Sequence, residues 1–581
     1  MPFPDPGFYP ISNKDVLSFT FDDPNFDVDR PVSTSAISCH PRCALHHDSP
    51  SDKQIFIDPR NPSRYFSHRS AKDLVCRLIA GFKAAGLQSG DTVCVHSFNS
   101  LVYPLVILAI IGAGGLSIGT NPSYTRHELN HALRVAKVRF VLAEPEILPN
   151  MLAGLKENNL DIGERLFILD TEPGQEVPPG LRSWRTLLND GPQDWIRFDD
   201  EQKSHRTCQL YYTSGTTGLP KCAMTSHRNL VAEHQLAFET NARPYQNKIV
   251  FCMPFFHVGI LPQVLVSAIK EGRAAYVMRR FELEPYLRYH AKYQLTEIFA
   301  VPPMIVSIVM SGLADPKSDR YRPEFSLKSV RHGTTGAAPC SGDMQRRFNE
   351  LLGDGATFGQ VWGMTETTSI AALVPFDVAR KTARGELDVW GNVGRPLPET
   401  HMKLVDENGT DVTDQRQGEL CVKGPTVIKG YFENEKATKE SWDAEGYFKT
   451  GDVIRIDNHG LMYVEERVKE LIKVRGFQVA PAELEGVLTA HPDIIDAAVI
   501  GIKVANDVEL PRAYVVRRPG KTLTEEQVQT HMKERLTGYK QLTGGVVFLE
   551  SIPKLPSGKI LKRVLREEAK KETEVQGKTK L

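Results

Sequence analysis

Apolar residues along the chain fall into two rhythms that alternate. From Ser70 to Leu87 the positions Leu74, Leu78, Ile79, Phe82 and Leu87 recur at helical spacing, and Gly86 and Gly90-Asp91 then interrupt before a short apolar run from Thr92 to His96. This predicts a helix followed by a strand. Leu101 to Ile118 is apolar for almost its whole length, but Pro104, Gly112, Gly114 and Gly115 divide it into a buried helix and a second strand, which argues against a membrane span. Further strands are expected at Val138–Ala143, Leu166–Leu169 and Cys208–Tyr212, with helical segments between them, the pattern of a parallel sheet with crossover helices.

Beyond Ser226 a helix over Asn229–Phe238 is expected, then strands near Ile249, at Tyr276–Met278, Glu297–Val301 and Ser329–His332. The last runs into the glycine-bearing loop Gly333 to Pro339, and Thr357 to Glu366 reads as one short turn. Around Arg395 the rhythm changes to alternating strands, Met402–Val405 and Gly418–Lys423, with Asn408-Gly409 as a turn, predicting a small β-barrel over about 396–465. The charged junction Glu465-Glu466-Arg467-Val468-Lys469 leads to a compact segment, 466–570, that closes with an amphipathic helix from Ile560 to Lys571. Residues 1 to about 70 are rich in Pro, Asp and Ser and show little periodicity before Ile55–Ile57. The expected fold is therefore α/β: an N-terminal region, 1–465, of two α/β subdomains and a barrel, then a mobile α+β lid, 466–570, and an exposed tail, 571–581.

Composition adds exclusions. The 581 residues exceed a single ordinary core. Basic and acidic residues balance at 71 each, which gives no global pull toward nucleic acid or an anionic surface. Cysteines are scattered through apolar segments, as in a reduced, intracellular chain. The cluster Cys39-His40, Cys43, His46-His47 has ligand chemistry, yet no second ligand pair follows it, and a surface loop is the expected reading.

Candidate chemistry centres on Tyr211 to Ala223. Thr213, Ser214, Thr216 and Thr217 bring hydroxyls, Gly215 and Gly218 let backbone amides turn toward an anion, and Leu219-Pro220-Lys221 closes the loop with a charge. Directly after an apolar strand, this suits a polyphosphate. It lacks the Gly-Lys-Ser/Thr of nucleotide-triphosphatase loops, because Pro220 precedes Lys221 and Cys222 follows it. His257 ends a strand-like segment, where open α/β sheets place their active sites. In Thr357-Phe-Gly-Gln360-Val361-Trp362-Gly363-Met364-Thr365-Glu366, an aromatic face, a hydroxyl and a carboxylate suit adenine, phosphate and magnesium.

Together with Lys-Thr-Gly-Asp452, the Lys473 to Glu485 segment and Pro-Ser-Gly-Lys559, these motifs stand in the order of the adenylate-forming superfamily, which the chain resembles from about Ser70 to Arg566. It is most similar to acyl-CoA synthetases and 4-coumarate-CoA ligases. The resemblance implies ATP, Mg2+ and coenzyme A as cofactors and a carboxylic acid as substrate. It implies that Thr213 to Lys221 hold the β- and γ-phosphates, and that Gly336, Ala337 and Ala338 line the adenine, with Trp362 stacked on it in place of the commoner tyrosine. Thr357, Gln360, Val361, Gly363 and Met364 belong to the same nucleotide-binding stretch. Thr365 would touch the α-phosphate, Glu366 the metal, and Asp452 and Arg467 the ribose. His257 would stand between the carboxylate and acyl pockets, with Phe256, Val258, Val301, Pro302 and Thr335 lining the acid. Lys559 would reach in from the lid for adenylation. Lys469 would be the hinge, and Lys473, Gly476 and Gln478 would border the thiol.

The leading function is an acid-thiol ligase acting on a non-amino acid, aryl, medium-chain or polyketide-like, because a histidine at position 257 offers no charge to a substrate ammonium. Carrier-protein loading, luciferase-like oxidation of the adenylate and non-catalytic nucleotide binding stand as alternatives. Thr579-Lys580-Leu581 resembles the peroxisomal address Ser-Lys-Leu, which implies the peroxisomal import receptor as a partner, with the cytoplasm as the alternative location.

Overall fold

A computed structural model describes residues 3, 7–25, 53–158, 160, 162–213, 221–406, 408–467, 470, 472–474, 477–479, 481–503, 509–536, 538–554 and 560–578. Ser214 to Pro220, Lys469, Gly476, Lys559, the Cys39–His47 cluster and the terminal Thr579–Leu581 lie outside them.

The alternating rhythm builds a seven-stranded sheet in the order Arg182–Ser183, Leu166–Ile168, Val138–Ala143, Thr92–His96, Leu116–Thr120, Thr207–Thr213, Lys221–Ser226. Every neighbouring pair is parallel except the last, an antiparallel hairpin. The helix His68–Ala84 starts where the Ser67 and Ser70 side chains cap each other's backbone, and its apolar stripe is buried. Within Leu101–Ile118, the apolar stretch weighed as a membrane span, Tyr103–Gly112 is a ten-residue helix buried on all sides. No helix among the described residues is long and apolar enough to cross a membrane.

A four-stranded sheet orders Lys248–Phe251, Ala274–Val277, Gln54–Ile57 and Tyr65–Ser67, and a five-stranded sheet orders Glu297–Phe299, His332–Thr335, Thr357–Met364, Ser369–Leu373 and Arg395–Pro396. The segment read as a barrel forms a four-stranded antiparallel sheet of His401–Val405, Gln417–Lys423, Phe448–Ile456 and Met462–Arg467. The C-terminal segment has its own sheet, Ile494–Lys503, Glu509–Arg517 and Val546–Phe548, and its own apolar clusters around Leu484, Val499 and Val515 and around Tyr514 and Leu565.

Three local expectations are corrected. The strand placed at Ser329–His332 lies at His332–Thr335, because Gly333 is accommodated beneath the Phe358 ring, which stands 2.6 Å from where a Cβ would be. Thr357 to Glu366 is not a turn but a strand ending at Met364, followed by the tight turn Thr365–Thr367. The N-terminal stretch, read as aperiodic, contains a helix at Val16–Phe21, too short to display a period, whose six residues are all buried. Asp15 caps it by accepting from the Leu17 and Ser18 amides, each at 2.9 Å.

Candidate active site

Strand Thr207–Thr213 and strand Lys221–Ser226 pair so that Thr213 faces Lys221. The described residues on either side of the hydroxyl- and glycine-rich segment, Thr213 and Lys221, are thus held opposite one another. Lys221 Nζ stands 4.9 Å from the centre of the Tyr431 ring. Tyr431 is held beside this edge strand, its segment bonding Met224 N–H to the Gly430 carbonyl at 3.0 Å and Phe432 N–H to the Cys222 carbonyl at 2.8 Å. Its hydroxyl donates to Glu366 Oε1 at 2.9 Å, with both side chains buried. Burial, and then the charge of Glu366, push the phenol well above its usual range and keep it a donor. Lys221 and Glu366, 145 positions apart in the sequence, therefore meet on one aromatic residue that the motifs did not single out. The signal for it, an aromatic pair following Gly430, is short and unremarkable in composition.

The turn that presents Thr365 and Glu366 is fixed from below. A Cβ on Gly363 would fall 1.6 Å from the Ser369 carbonyl oxygen, so only glycine lets the two strands close so tightly. Thr368 and Ser369 both have positive φ, 55° and 100°. Behind them Glu233, 1% exposed, accepts from the Ile370 N–H at 3.0 Å, and the Glu366 carbonyl accepts from the Ile428 N–H at 2.9 Å.

Trp362 and Asp452, assigned by resemblance to adenine and ribose, are joined: the indole Nε1–H donates to Asp452 Oδ2 at 2.9 Å. Both are buried, and Trp362 packs in the apolar cluster of the antiparallel sheet with Met402, Leu404 and Phe448. Asp452 lies opposite Arg467 in the strand register. Thr357 and Gln360 are also buried and are used by the protein itself. The Thr357 hydroxyl is 2.7 Å from His332 Nδ1, and the Gln360 amide accepts from Cys340 N–H at 2.8 Å and donates to the Gly391 carbonyl at 3.4 Å. Gln360 so braces the loop carrying Gly336, Ala337 and Ala338, in which Ala337 is exposed with φ 70°. Val361, Gly363, Met364 and Thr365 are half-buried.

The register that pairs Phe299 with Thr334 sets Val301 and Pro302 beside Thr335 and Gly336 at the carboxyl ends of adjacent parallel strands. Val301, Pro302 and Thr335 are buried. Val258 shares the large apolar cluster with Val301, while Phe256 and His257 are half-buried. His257 Nδ1 accepts from the Gly259 N–H at 3.0 Å, which selects the neutral tautomer protonated at Nε2. The turn is anchored by Asn99, another residue the motifs did not reveal. Its buried amide donates to the Met253 and Met278 carbonyls at 2.8 and 3.1 Å and accepts from the Phe255 N–H at 2.8 Å. A Cβ on Gly119 would lie 2.7 Å from Phe256 Cβ, so the end of strand Leu116–Thr120 seats directly against this turn.

In the C-terminal segment the hairpin Ile472–Val474/Phe477–Val479 sets Lys473 opposite Gln478. The buried Lys562, three residues after Lys559, has its Nζ 3.5 Å from Glu470 and 3.1 Å from Glu485. Cys222 is buried and its thiol is pushed up to about 12, so it is an inert packing residue. The seven described cysteines are all free thiols.

Residues 45–432 match the model of the AMP-binding enzyme family, and residues 483–559 match that of the AMP-binding enzyme C-terminal domain. A phenylacetyl-CoA ligase, epaB, of Aspergillus niger is 41% identical over 97% of this chain and 98% of its own length. The acyl-CoA synthetase ACTT5 of Alternaria alternata is 43% identical over 92% of this chain and 89% of its own. Among solved structures, ATP-bound MatB from Rhodopseudomonas palustris superposes with a TM-score of 0.76 at 27% identity, covering 90% of this chain and 97% of that one.

Proposed function

The chain belongs to the AMP-binding enzyme family, and from that premise we infer what its site does. It is an ATP-dependent acyl-CoA ligase working through an acyl-adenylate. The observation that carries this reading in the chain itself is the meeting of Lys221 and Glu366 on Tyr431, which sets the fixed end of the hydroxyl-rich hairpin beside the turn bearing Thr365. A substrate carboxylate oxygen attacks the α-phosphorus of ATP and pyrophosphate leaves. The sulfur of CoA then attacks the acyl carbonyl, its proton is lost, and AMP leaves.

Two anions must be brought together in the first step, so cationic and hydroxyl donors are required where charge grows on the phosphoryl oxygens. Lys221 and the hairpin hydroxyls suit the departing pyrophosphate, and Lys559 suits the α-phosphoryl group. His257, as the neutral Nε2–H tautomer, offers a donor without adding a fixed charge to the acid side. A magnesium ion fits the donor set. Glu366 supplies one buried carboxylate fixed by Tyr431, and the described residues contain no group of three or more His, Cys, Asp or Glu that would cage a metal. Magnesium borne on nucleotide phosphates needs one or two protein carboxylates and water. When bound, it supplies positive charge to the polyphosphate.

The acid we propose is aromatic or otherwise apolar, without an amino group. The pocket residues named above are apolar apart from the hydroxyl of Thr335, and the relative from Aspergillus niger is a phenylacetyl-CoA ligase. Boundaries near residue 465 between adenylation region and lid, and peroxisomal import through Thr579-Lys580-Leu581, are part of the same proposal. The test is pyrophosphate release from ATP by the purified protein with phenylacetate, cinnamates, benzoates and C4 to C10 fatty acids, each with and without CoA, products being identified by mass spectrometry. Acid-dependent release with an acyl-CoA product is expected. Release that stops at the adenylate in the presence of CoA would overturn the ligase assignment in favour of another acceptor.

A further inference from the structure

The match to the AMP-binding family model begins at residue 45, yet residues 7–25 include some of the most deeply buried in the molecule. We propose that this N-terminal arm is a positioning element of the acid pocket, holding in register the helix that carries the His257 turn. The proposal rests on the reading of that turn as the border of the acid pocket.

The His257 carbonyl accepts from the Ile260 and Leu261 N–H groups at 3.3 and 3.2 Å, so turn and helix are one piece. The helix continues to Lys270, about 15 Å away at the usual rise, and its middle, Gln263–Ser267, is wound as a π-helix. The arm grips its far end. Asn25 N–H donates to the Lys270 carbonyl at 2.7 Å, and Lys270 Nζ, with a side chain 2% exposed, donates to the Asp23 carbonyl at 2.5 Å. The same ammonium stands 3.7 Å from the Asp23 carboxylate and 3.8 Å from the centre of the Phe19 ring. A buried ammonium is tolerated only where such partners are supplied, and every one of these comes from the arm.

The arm also reaches the π-helix from the side. Ser267 Oγ is 2.9 Å from His234 Nδ1, and His234 Nε2 is 3.4 Å from Glu239 Oε1. Glu239 belongs to a second π-helix, Gln235–Glu239, and accepts from the Tyr9 hydroxyl at 3.1 Å and the Asn25 amide at 3.2 Å. Ser12 N–H donates to Gln235 Oε1 at 2.8 Å. The π-helix Gln263–Ser267 is thus tied through His234, the residue just before the second π-helix, to Glu239, and Gln235 and Glu239 are bonded to residues 9–25. A π-turn holds one residue more than the α-turn it interrupts, and its relaxation shifts the preceding helix by about 1.5 Å and 100°. Such a shift here moves His257 and Val258.

The test compares wild type with Lys270→Met and Tyr9→Phe, measuring kcat and KM for phenylacetate, 3-phenylpropionate, hexanoate and octanoate, KM for ATP, and Tm. For each variant that folds, the KM of the best acid rises about fivefold, as for one lost hydrogen bond, and the ranking among acids flattens, while KM for ATP stays within about twofold. A fall in Tm with acid and ATP constants unchanged, or an equal rise in both, assigns the arm to stability alone and overturns the proposal. Tyr9→Phe deletes a single half-buried hydroxyl and decides the matter by the same criteria if Lys270→Met does not fold. A wild type inactive on every acid overturns the ligase reading and this proposal with it, whereas an active wild type with unaffected variants overturns this proposal alone.

Discussion

Replacing Tyr431 by Phe deletes one hydroxyl and leaves Glu366 without its 2.9 Å donor. A hydrogen bond to a charged group is worth about 1.5–3 kcal/mol, so acid-dependent ATP–pyrophosphate exchange should slow by one to two decades, with a fall in Tm of several degrees. An unaltered exchange rate would separate Tyr431 from the reaction. Glu233 invites a test of a different kind. Its burial raises its carboxyl well above the ordinary 4.5, outweighing the Ile370 and Ser369 hydrogen bonds. The native state therefore keeps a proton that the unfolded chain releases, and stability declines as pH climbs from about 4.5 toward the folded value. Glu233→Gln should remove that slope, visible as urea midpoints that converge at low pH and exceed wild type at pH 8. At this scale the sequence was legible where chemistry is written in the residue type: Lys221, Glu366 and Asp452 are all at junctions the structure brings together. Tyr431 and Asn99 were not legible, because their roles come from hydrogen bonds to partners 65 and more than 150 positions away.

The strand Thr92–His96 was predicted to the residue, and the apolar stretch Leu101–Ile118 was read correctly as a buried helix and a strand without its bounds, since burial on a sheet face or in a core imposes that pattern. The strand His332–Thr335 was displaced by glycine and threonine, whose strand role depends on the Phe358 ring packed over Gly333. The arm helix Val16–Phe21 escaped because six residues hold too few turns for a period. Its attachment has an acid limit. Burial opposes ionisation of Glu239, but the His234 hydrogen bond and charge, with Asn25 and Lys270, hold it at about 2. The stability this adds is present above the ordinary 4.5 and is lost as pH falls from there toward 2. Glu239→Gln should flatten that limb in chemical denaturation at pH 3 to 5. Asn99→Ala leaves buried backbone groups of the His257 turn unsatisfied, at a cost of about 1–3 kcal/mol each. It should lower the urea midpoint and raise the acid KM, whereas an unchanged acid KM would detach this anchor from substrate binding.

For the whole molecule, motif order along the chain disclosed the family and the α/β class, because such order is one-dimensional information. The stitching of the hairpin, the Thr365 turn and segment 425–432 is three-dimensional and emerged only with the fold. Two substitutions examine the division of labour. Lys559→Ala should nearly abolish adenylation while sparing conversion of supplied acyl-adenylate to thioester, and Lys469→Pro should do the reverse by stiffening the junction. Equal loss in both half-reactions would contradict the two-step assignment. Removing Thr579 to Leu581 should disperse a peroxisomal signal into the cytosol.

One contact reaches further. Asp452 accepts a hydrogen bond from the Trp362 indole N–H and lies opposite Arg467 in the strand register, so the strand Met462–Arg467 ends beside the buried Trp362–Asp452 pair. We propose that ATP and CoA are thermodynamically linked through this strand, which joins the Asp452 end of the antiparallel sheet to the C-terminal segment. Linkage is reciprocal: whatever the factor by which bound CoA changes the affinity for ATP, bound ATP changes the affinity for CoA by the same factor. Affinity for ATP is then partly a property of residues that never touch it.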